Sequence, residues 1–352
     1  MSIETSGFLP INLLTGFLGS GKTTLLKRIL DDPAFADTAV LINEFGEIGL
    51  DHDLVESVDG EMVLLRSGCV CCTVRGELAA ALKELYSRRE CGLVPPFRRV
   101  VIESTGLADP FPVLSTIKAD PVLRHHFCAG NVITTVDAVN GSRQLDTYIE
   151  SNRQVAVADR LIITKTDLGA GAEEEALRAR LRGLNPDAPI LTAVDLDLSS
   201  LVAVRGSPLL RGSLSPSGFY CEEPMQLVSS DGAPHHAAIS SISLSIDRPV
   251  DWTAFGLWLT MLLNRHGERL LRVKGILNLR GEECPVAVHG VQHLVHTPVH
   301  MDRWPSEDRS SRLVFILDGL DGACLKRSFE AFTLAHMSQV PPAAYFPIVA
   351  AR

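Results

Sequence analysis

The sequence predicts an α/β chain, with a mostly parallel, doubly wound sheet followed by a smaller C-terminal α+β unit. Three observations carry that expectation. From Leu9 to about Val194, short apolar runs alternate with helix-like segments, and strands apolar throughout belong in sheets covered on both faces. Between Leu196 and His236 the texture changes to Ser, Gly and Pro, as in a linker or loop. Beyond it, strands are grouped between two helices instead of alternating with them. A length of 352 residues suits about two domains.

In the first unit, Ile11–Thr15, Ala39–Asn43, Met62–Leu65, Arg99–Glu103, Val132–Val136, Leu161–Thr164 and Ile190–Ala193 read as buried strands. Lys22–Leu30, Val74–Arg88 and Glu173–Leu184 read as helices between them. The second unit reads as strand 238–246, helix 251–264, strands near 270–279, 285–289 and 291–297, strand 312–317 and helix 321–335. The expected boundaries are a first domain over 1–195, a linker over 196–236 and a C-terminal domain over 237–345.

Apolar residues make up 46% and charged residues 21%, which excludes a disordered, collagenous or coiled-coil chain. Lys+Arg 33 against Asp+Glu 42 gives a net charge of −9, so nothing favours a nucleic-acid partner. The strongest apolar stretch, Phe255–Leu263, is too short to span a bilayer, and Met1–Gly7 lacks the features of a secretory signal. The expectation is a soluble, cytoplasmic protein with no membrane partner. Of eight cysteines, Cys91, Cys128, Cys221, Cys284 and Cys324 are scattered and read as small hydrophobes.

Gly16-Phe-Leu-Gly-Ser-Gly-Lys-Thr23 matches G-x-x-x-x-G-K-[ST] between a predicted strand and a predicted helix, the context that makes this a P-loop NTPase fold. Such a loop curls backbone N–H groups around phosphate oxygens, with Lys22 reaching the β/γ-phosphates and Thr23 holding Mg²⁺. Thr164-Lys-Thr-Asp167 follows a strand about 140 residues later. An Asp there reads guanine, because its carboxylate accepts from N1–H and the exocyclic amine, both absent in adenine. Glu103 ends a strand and precedes Ser104-Thr-Gly106. It is placed to engage Mg²⁺ or its water, and Gly106 lets backbone approach the γ-phosphate. A strand ending in an exposed turn is the plainer alternative.

Gly68-Cys-Val-Cys-Cys72 puts three thiols into four residues. Three soft thiolates suit Zn²⁺ or Cu(I) and leave a fourth position for water, a carboxylate or a recipient protein. A redox switch and plain packing are the competing readings. Asn43-Glu-Phe-Gly-Glu47-Ile-Gly-Leu-Asp51 reads either as a nucleotide-sensing loop able to lend a metal ligand or as a solvated acidic loop.

Together these residues resemble the CobW-type metallochaperone GTPases of the SIMIBI class. GFLGSGKTT, NEFGEIGLD, SGCVCCTVRGEL, ESTGLADP and TKTDL occur in that order, and VKGILNL, VHGVQHLVHTP, Trp304-Pro305 and SRLVFI continue the likeness over nearly the whole chain. The resemblance implies a CobW-like C-terminal domain and GTP as the nucleotide. It implies that Gly19, Ser20, Gly21, Lys22, Thr23 and Thr24 bind phosphates, that Thr23 binds Mg²⁺, and that Lys165 and Asp167 bind guanine. It assigns Cys69, Cys71 and Cys72 to a transition metal, zinc before cobalt, with Glu47 nearby. The implied partner is a client metalloprotein, and a homodimer stays open. The sequence departs from the pattern in two places: the region between domains offers only His235-His236, and Thr164 replaces the commoner Asn.

With no arginine in the P-loop or the Glu103 segment, slow, metal- or partner-stimulated GTP turnover is expected. The rival functions are a regulatory GTPase that senses metal or redox state without delivery, and a P-loop small-molecule kinase. His289, His293, His296 and His300 lie where strands and a turn are expected; on a strand 289 and 293 share one face and 296 and 300 the other unless a bulge intervenes, so a single strand cannot present all four.

Overall fold

The computed structural model describes residues 8–43, 64–67, 74–168, 171–194, 196–198, 201 and 239–337. Strands β1 (Leu9–Gly16), β2 (Thr38–Asn43), β3 (Leu64–Ser67), β4 (Arg99–Glu103), β5 (Phe127–Asp137), β6 (Arg160–Thr164) and β7 (Ile190–Thr192) form one sheet in the order β3-β2-β4-β1-β5-β6-β7. Every pairing in it is parallel. β1 is central because both of its faces are apolar. Leu13 packs with Leu41, Leu78 and Ile102 on one side, and Leu14 with Leu25, Ile29 and Val101 on the other. Each such leucine contributes about 1.5–3 kcal/mol on burial. The winding reverses at β1, so a crevice opens at the carboxyl ends of β1 and its neighbours, where ligands bind in this class of sheet.

Helices α1 (Lys22–Leu30), α2 (Val74–Glu90), α3 (Pro110–Ala119), α4 (Leu123–His126), α5 (Gly141–Thr147), α6 (Ile149–Val157) and α7 (Gly171–Leu184) join these strands. The sequence reading contains α1, α2 and α7 but not α3 to α6. α3 carries a start signal that was legible: the Asp109 side chain accepts from Phe111 N at 2.9 Å, and Pro110 occupies the first turn. α6 hides its periodicity because its buried face includes Ser151 and Gln154. Past β7, Leu196 and Leu198 pack on the α1 face and Leu201 is fully buried there. The start of the Ser/Gly/Pro-rich stretch therefore contributes to this core.

The second unit contains β8 (Ile239–Ile246), α8 (Trp252–His266), β9 (Leu270–Leu277), β10 (Val286–Val291), β11 (Leu294–Val295), β12 (Val299–His300), β13 (Ser311–Asp318) and α9 (Gly322–Met337). Its antiparallel sheet runs β11-β10-β9-β13-β8, with β12 beside β10. One face packs Val273, Leu277 and Phe315 under Trp258 and Phe329, whose rings meet edge-on at 4.9 Å. The β10–β11 hairpin docks on the first unit, where Val291 and Leu294 join Val113 and Ile117. Lys118 Nζ donates to Val295 O at 3.0 Å.

That hairpin overturns the expected grouping of histidines. The chain reverses at Gln292, whose φ is 48°, and Leu294–Val295 pairs back onto one end of β10 while Val299–His300 pairs onto the other. His289 and His296 stack at 4.6 Å, His293 faces Phe111, and His300 lies 3.9 Å from Glu282. Among the described residues, no group of three or more His, Cys, Asp or Glu is arranged to hold a metal. None of the described helices is long and apolar enough to cross a membrane.

Candidate nucleotide site

β1 delivers the chain into the phosphate loop at Gly16. Gly16, Gly19 and Gly21 have φ of 142°, 71° and 87°, conformations that side chains oppose. At Gly16 there is also no room: a Cβ would lie 2.3 Å from Thr135 Oγ1 and 2.5 Å from Thr135 O. Ser20 Oγ shares a 2.7 Å hydrogen bond with Thr135 Oγ1, fastening the loop to β5. Lys22 is buried and reaches back over the loop, donating to Gly16 O at 3.0 Å and Phe17 O at 3.2 Å. Gly21 caps α1 without a side chain, which leaves the first N–H groups of the helix available to an anion. Thr24 is exposed in that first turn.

Thr23 Oγ1 donates to Glu103 Oε1 at 2.8 Å, so residues eighty positions apart meet at the carboxyl ends of β1 and β4. Ser104 then locks the strand end, its N–H donating to Leu14 O at 2.9 Å and its hydroxyl to Thr15 Oγ1 at 2.8 Å. Gly106 passes so close to the P-loop that a Cβ there would sit 2.6 Å from the Leu18 nitrogen.

The Thr164–Asp167 segment continues β6. Thr164 Oγ1 donates to Ser20 O at 2.8 Å and approaches Val136 O at 3.2 Å, so the residue that departs from Asn ties this segment to the phosphate loop. Lys165 adopts φ 56° and donates to Asp137 Oδ2 at 2.7 Å, while Asp167 is exposed. Asp137 was not singled out in the sequence. Burial works to raise its carboxyl, but Lys165, Asn140 and the Val139 amide together hold it below its ordinary value. A legible signal existed, since Asp137 ends an apolar strand just as Glu103 does. Gln154, which donates to Gly106 O and Ala108 O at 3.1 Å each, was also missed, because a glutamine in a helix carries no motif.

The structure thus brings together Gly16, Gly19, Ser20, Gly21, Lys22, Thr23, Glu103, Gly106, Thr164 and Lys165. Cys69, Cys71, Cys72 and Glu47 lie outside the described residues. Their flanking strands are described: Asn43, the last residue of β2, pairs with Ser67, the last of β3, and Ile42 pairs with Glu103.

Comparison with known proteins agrees with this geometry. Residues 10–192 match the CobW/HypB/UreG nucleotide-binding domain, and residues 239–333 match the C-terminal domain of the cobalamin synthesis protein cobW. The chain is 37% identical over 316 residues to the zinc chaperone YjiA of Escherichia coli (strain K12), covering 88% of this chain and 93% of that protein. It is 30% identical over 368 residues to the zinc chaperone CobW of Pseudomonas aeruginosa, covering 92% of each. The crystal structure of Zn(II)-bound YjiA GTPase from E. coli aligns with a TM-score of 0.71 at 31% identity, over 93% of this chain and 99% of that one. With its nucleotide-binding and C-terminal domains both matched in order, the chain belongs to the CobW/HypB/UreG family of P-loop proteins.

Proposed function

We propose that this chain is a GTP-hydrolysing zinc chaperone that binds zinc through Cys69, Cys71 and Cys72, with Glu47 nearby, and passes it to a client metalloprotein. The observation that carries this reading is the parallel register of β2, β3 and β4. Asn43 and Ser67 end together at the edge where Glu103 meets Thr23. The chain therefore enters both the Asn43–Asp53 segment and the cysteine run from the same side of the sheet as the phosphate loop. The zinc chaperones and Zn(II)-bound GTPase to which the chain is similar support zinc as the cargo.

Lys22 and the α1 N-terminus bind the phosphates, and Lys165 and Asp167 select guanine. The paired oxygens of Thr23 and Glu103 are hard donors of the kind Mg²⁺ takes, and a Mg²⁺ held there neutralises phosphate charge. With no arginine in the P-loop or beside Glu103, turnover by the isolated protein is slow, on the order of 10⁻⁴–10⁻² per second, until metal or a partner stimulates it.

The test is zinc affinity, measured by competition with a chromophoric chelator, in the presence of a Mg-GTP analogue, of Mg-GDP and of no nucleotide. Linked sites should differ by roughly 5–150-fold between states. Replacing Cys71 and Cys72 by Ser should abolish tight zinc binding and spare nucleotide binding, while Lys22→Ala should do the reverse. Equal zinc affinity in all three states would sink the coupled mechanism. Coupling in a protein whose deletion leaves every client with its zinc would instead indicate a sensor.

A further inference from the structure

Helix α6 touches the phosphate site and the second unit at once. Its N-cap residue Tyr148 stacks on Phe17 of the P-loop at 4.6 Å. Further along, Gln154 is 1% exposed, and its side-chain amide holds two carbonyls of one loop, those of Gly106 and Ala108. The Gln154 carbonyl in turn accepts from Thr134 Oγ1 on β5 at 2.9 Å, so this grip is anchored to the central sheet. Shifting either loop peptide would leave buried groups without partners.

Arg153, the preceding residue, spans the two units. Its Nη1 lies 3.5 Å from Asp109 Oδ2, at the end of that same loop, and its Nη2 donates to Asp318 Oδ2 at 3.2 Å. Asp318 ends β13, and its side chain is 8% exposed. At the far end of α6, Val157 O accepts from Arg272 of β9. A cleft of about 600 Å³ opens beside the Arg153 contact, lined in part by Asp109, Phe111, Lys118, Glu268 and His293.

We propose that Gln154 and Arg153 are positioning residues for GTP hydrolysis. Gln154 fixes the Gly106 peptide against the phosphate site, and Arg153 makes that setting depend on the docking of the second unit through Asp318. The proposal rests on reading Ser104–Gly106 as the γ-phosphate loop. Movement of residues 104–109 carries Asp109 with it, and Arg153 must then redistribute between Asp109 and Asp318. Nucleotide state and domain docking thereby share one coupling free energy, in both directions.

The experiment uses the full chain and compares wild type with Gln154→Met, Asp318→Asn, Asp318→Glu and Arg153→Lys. Affinities for a non-hydrolysable GTP analogue and for GDP are measured alongside kcat, KM and thermal midpoint. Gln154→Met should weaken the analogue about tenfold relative to GDP and lower kcat. Asp318→Asn and Arg153→Lys should shift the same ratio in the same direction by about fivefold, the low end of typical couplings, because the pair is partly solvated. Asp318→Glu should restore most of that loss. Asp318→Asn added to Gln154→Met should add little, since both act through one loop. Wild-type ratio and kcat in Asp318→Asn and Arg153→Lys, or equal weakening of both nucleotides, would make the contact structural and overturn the proposal. A wild-type ratio in Gln154→Met would instead remove the γ-phosphate reading on which it rests.

Discussion

Gly106 shows how a single residue can set the site. A side chain there would meet the backbone of Leu18, which cannot rotate away as a side chain would. Gly106→Ala should therefore force the P-loop and the Glu103 loop apart at about 1–3 kcal/mol. The expected result is GTP-analogue binding weakened at least about tenfold together with a thermal midpoint lowered by several degrees, checked by titration and calorimetry. At this scale the Gly16–Thr24 and Thr164–Asp167 segments were legible as candidates because the chemistry they suggest demands fixed spacing within a few positions. Thr164 stands where Asn is commoner, and its hydroxyl donates to Ser20 O. Gln154, Arg153 and Asp137 were not legible, since their partners lie far away in sequence and only folding brings them together.

Among the elements, α6 depends on one side chain of the loop after α7. Asn185 is fully buried, and its Nδ2 donates to the carbonyls of Val155, Ala156 and Ala158 at 2.8, 3.2 and 2.9 Å. These carbonyls lie at the C-terminal end and cap of the helix, where intrahelical donors run out, although Val155 O also accepts from Ala158 N at 3.2 Å. Asn185 Oδ1 accepts from Ala188 N at 3.2 Å. Asn185→Ala should lower stability by about 2–3 kcal/mol, read from urea midpoints. Asn185→Asp should cost more, because a carboxylate would face three carbonyl oxygens; a milder effect for Asp would show that cavity size dominates. All seven strands of the first sheet were legible as short apolar runs, and in β1, β4 and β6 burial on both faces accounts for them. Helix α3 went unread despite its legible start signal, and α4 and α6 were not legible: α4 has four residues, and α6 buries Ser151 and Gln154 where periodicity would show leucines.

Across the whole molecule, the two units meet over ionisable groups. Arg272 is 2% exposed and binds both Asp159 and Val157 O, while Asp159 Oδ2 accepts from Val132 N at 2.9 Å. Burial works against the Asp159 carboxylate, yet Arg272 holds it well below its ordinary value. Lys274 and His296 complete the surroundings of His289, whose Nε2 is sealed from solvent, and Asp187 and Arg160 act on Lys274. Burial, with Arg272 alongside, pushes His289 well below the usual imidazole value. Its unfolded form takes a proton near pH 6.5, and the folded form does not follow until lower pH. As pH falls from 7.5 to 5.5 the unfolded state binds more protons, so stability should drop by about 1 kcal/mol. Asp159 adds a further loss below about pH 4, and Asp187, raised by burial, acts in the opposite sense in acid. Urea midpoints at pH 7.5, 6.5 and 5.5 check this, and His289→Asn should flatten the profile. The histidine grouping was misread because strand alternation cannot foresee a reversal at Gln292.

The place of β1 in its sheet has a consequence for how the chain is made. Its pairing partners lie at residues 99–103 and 127–137, and both of its faces are apolar. A ribosome adding about 5–20 residues per second takes about 4–17 s to add the chain between Gly16 and Glu103, so β1 waits about that long after it emerges before its first neighbour follows. Parallel strands closed over such long separations also form slowly. Synthesis is thus the interval in which this protein is most exposed to aggregation, and codon choice or bound factors acting before residue 137 emerges would govern its yield more than the stability of the finished fold.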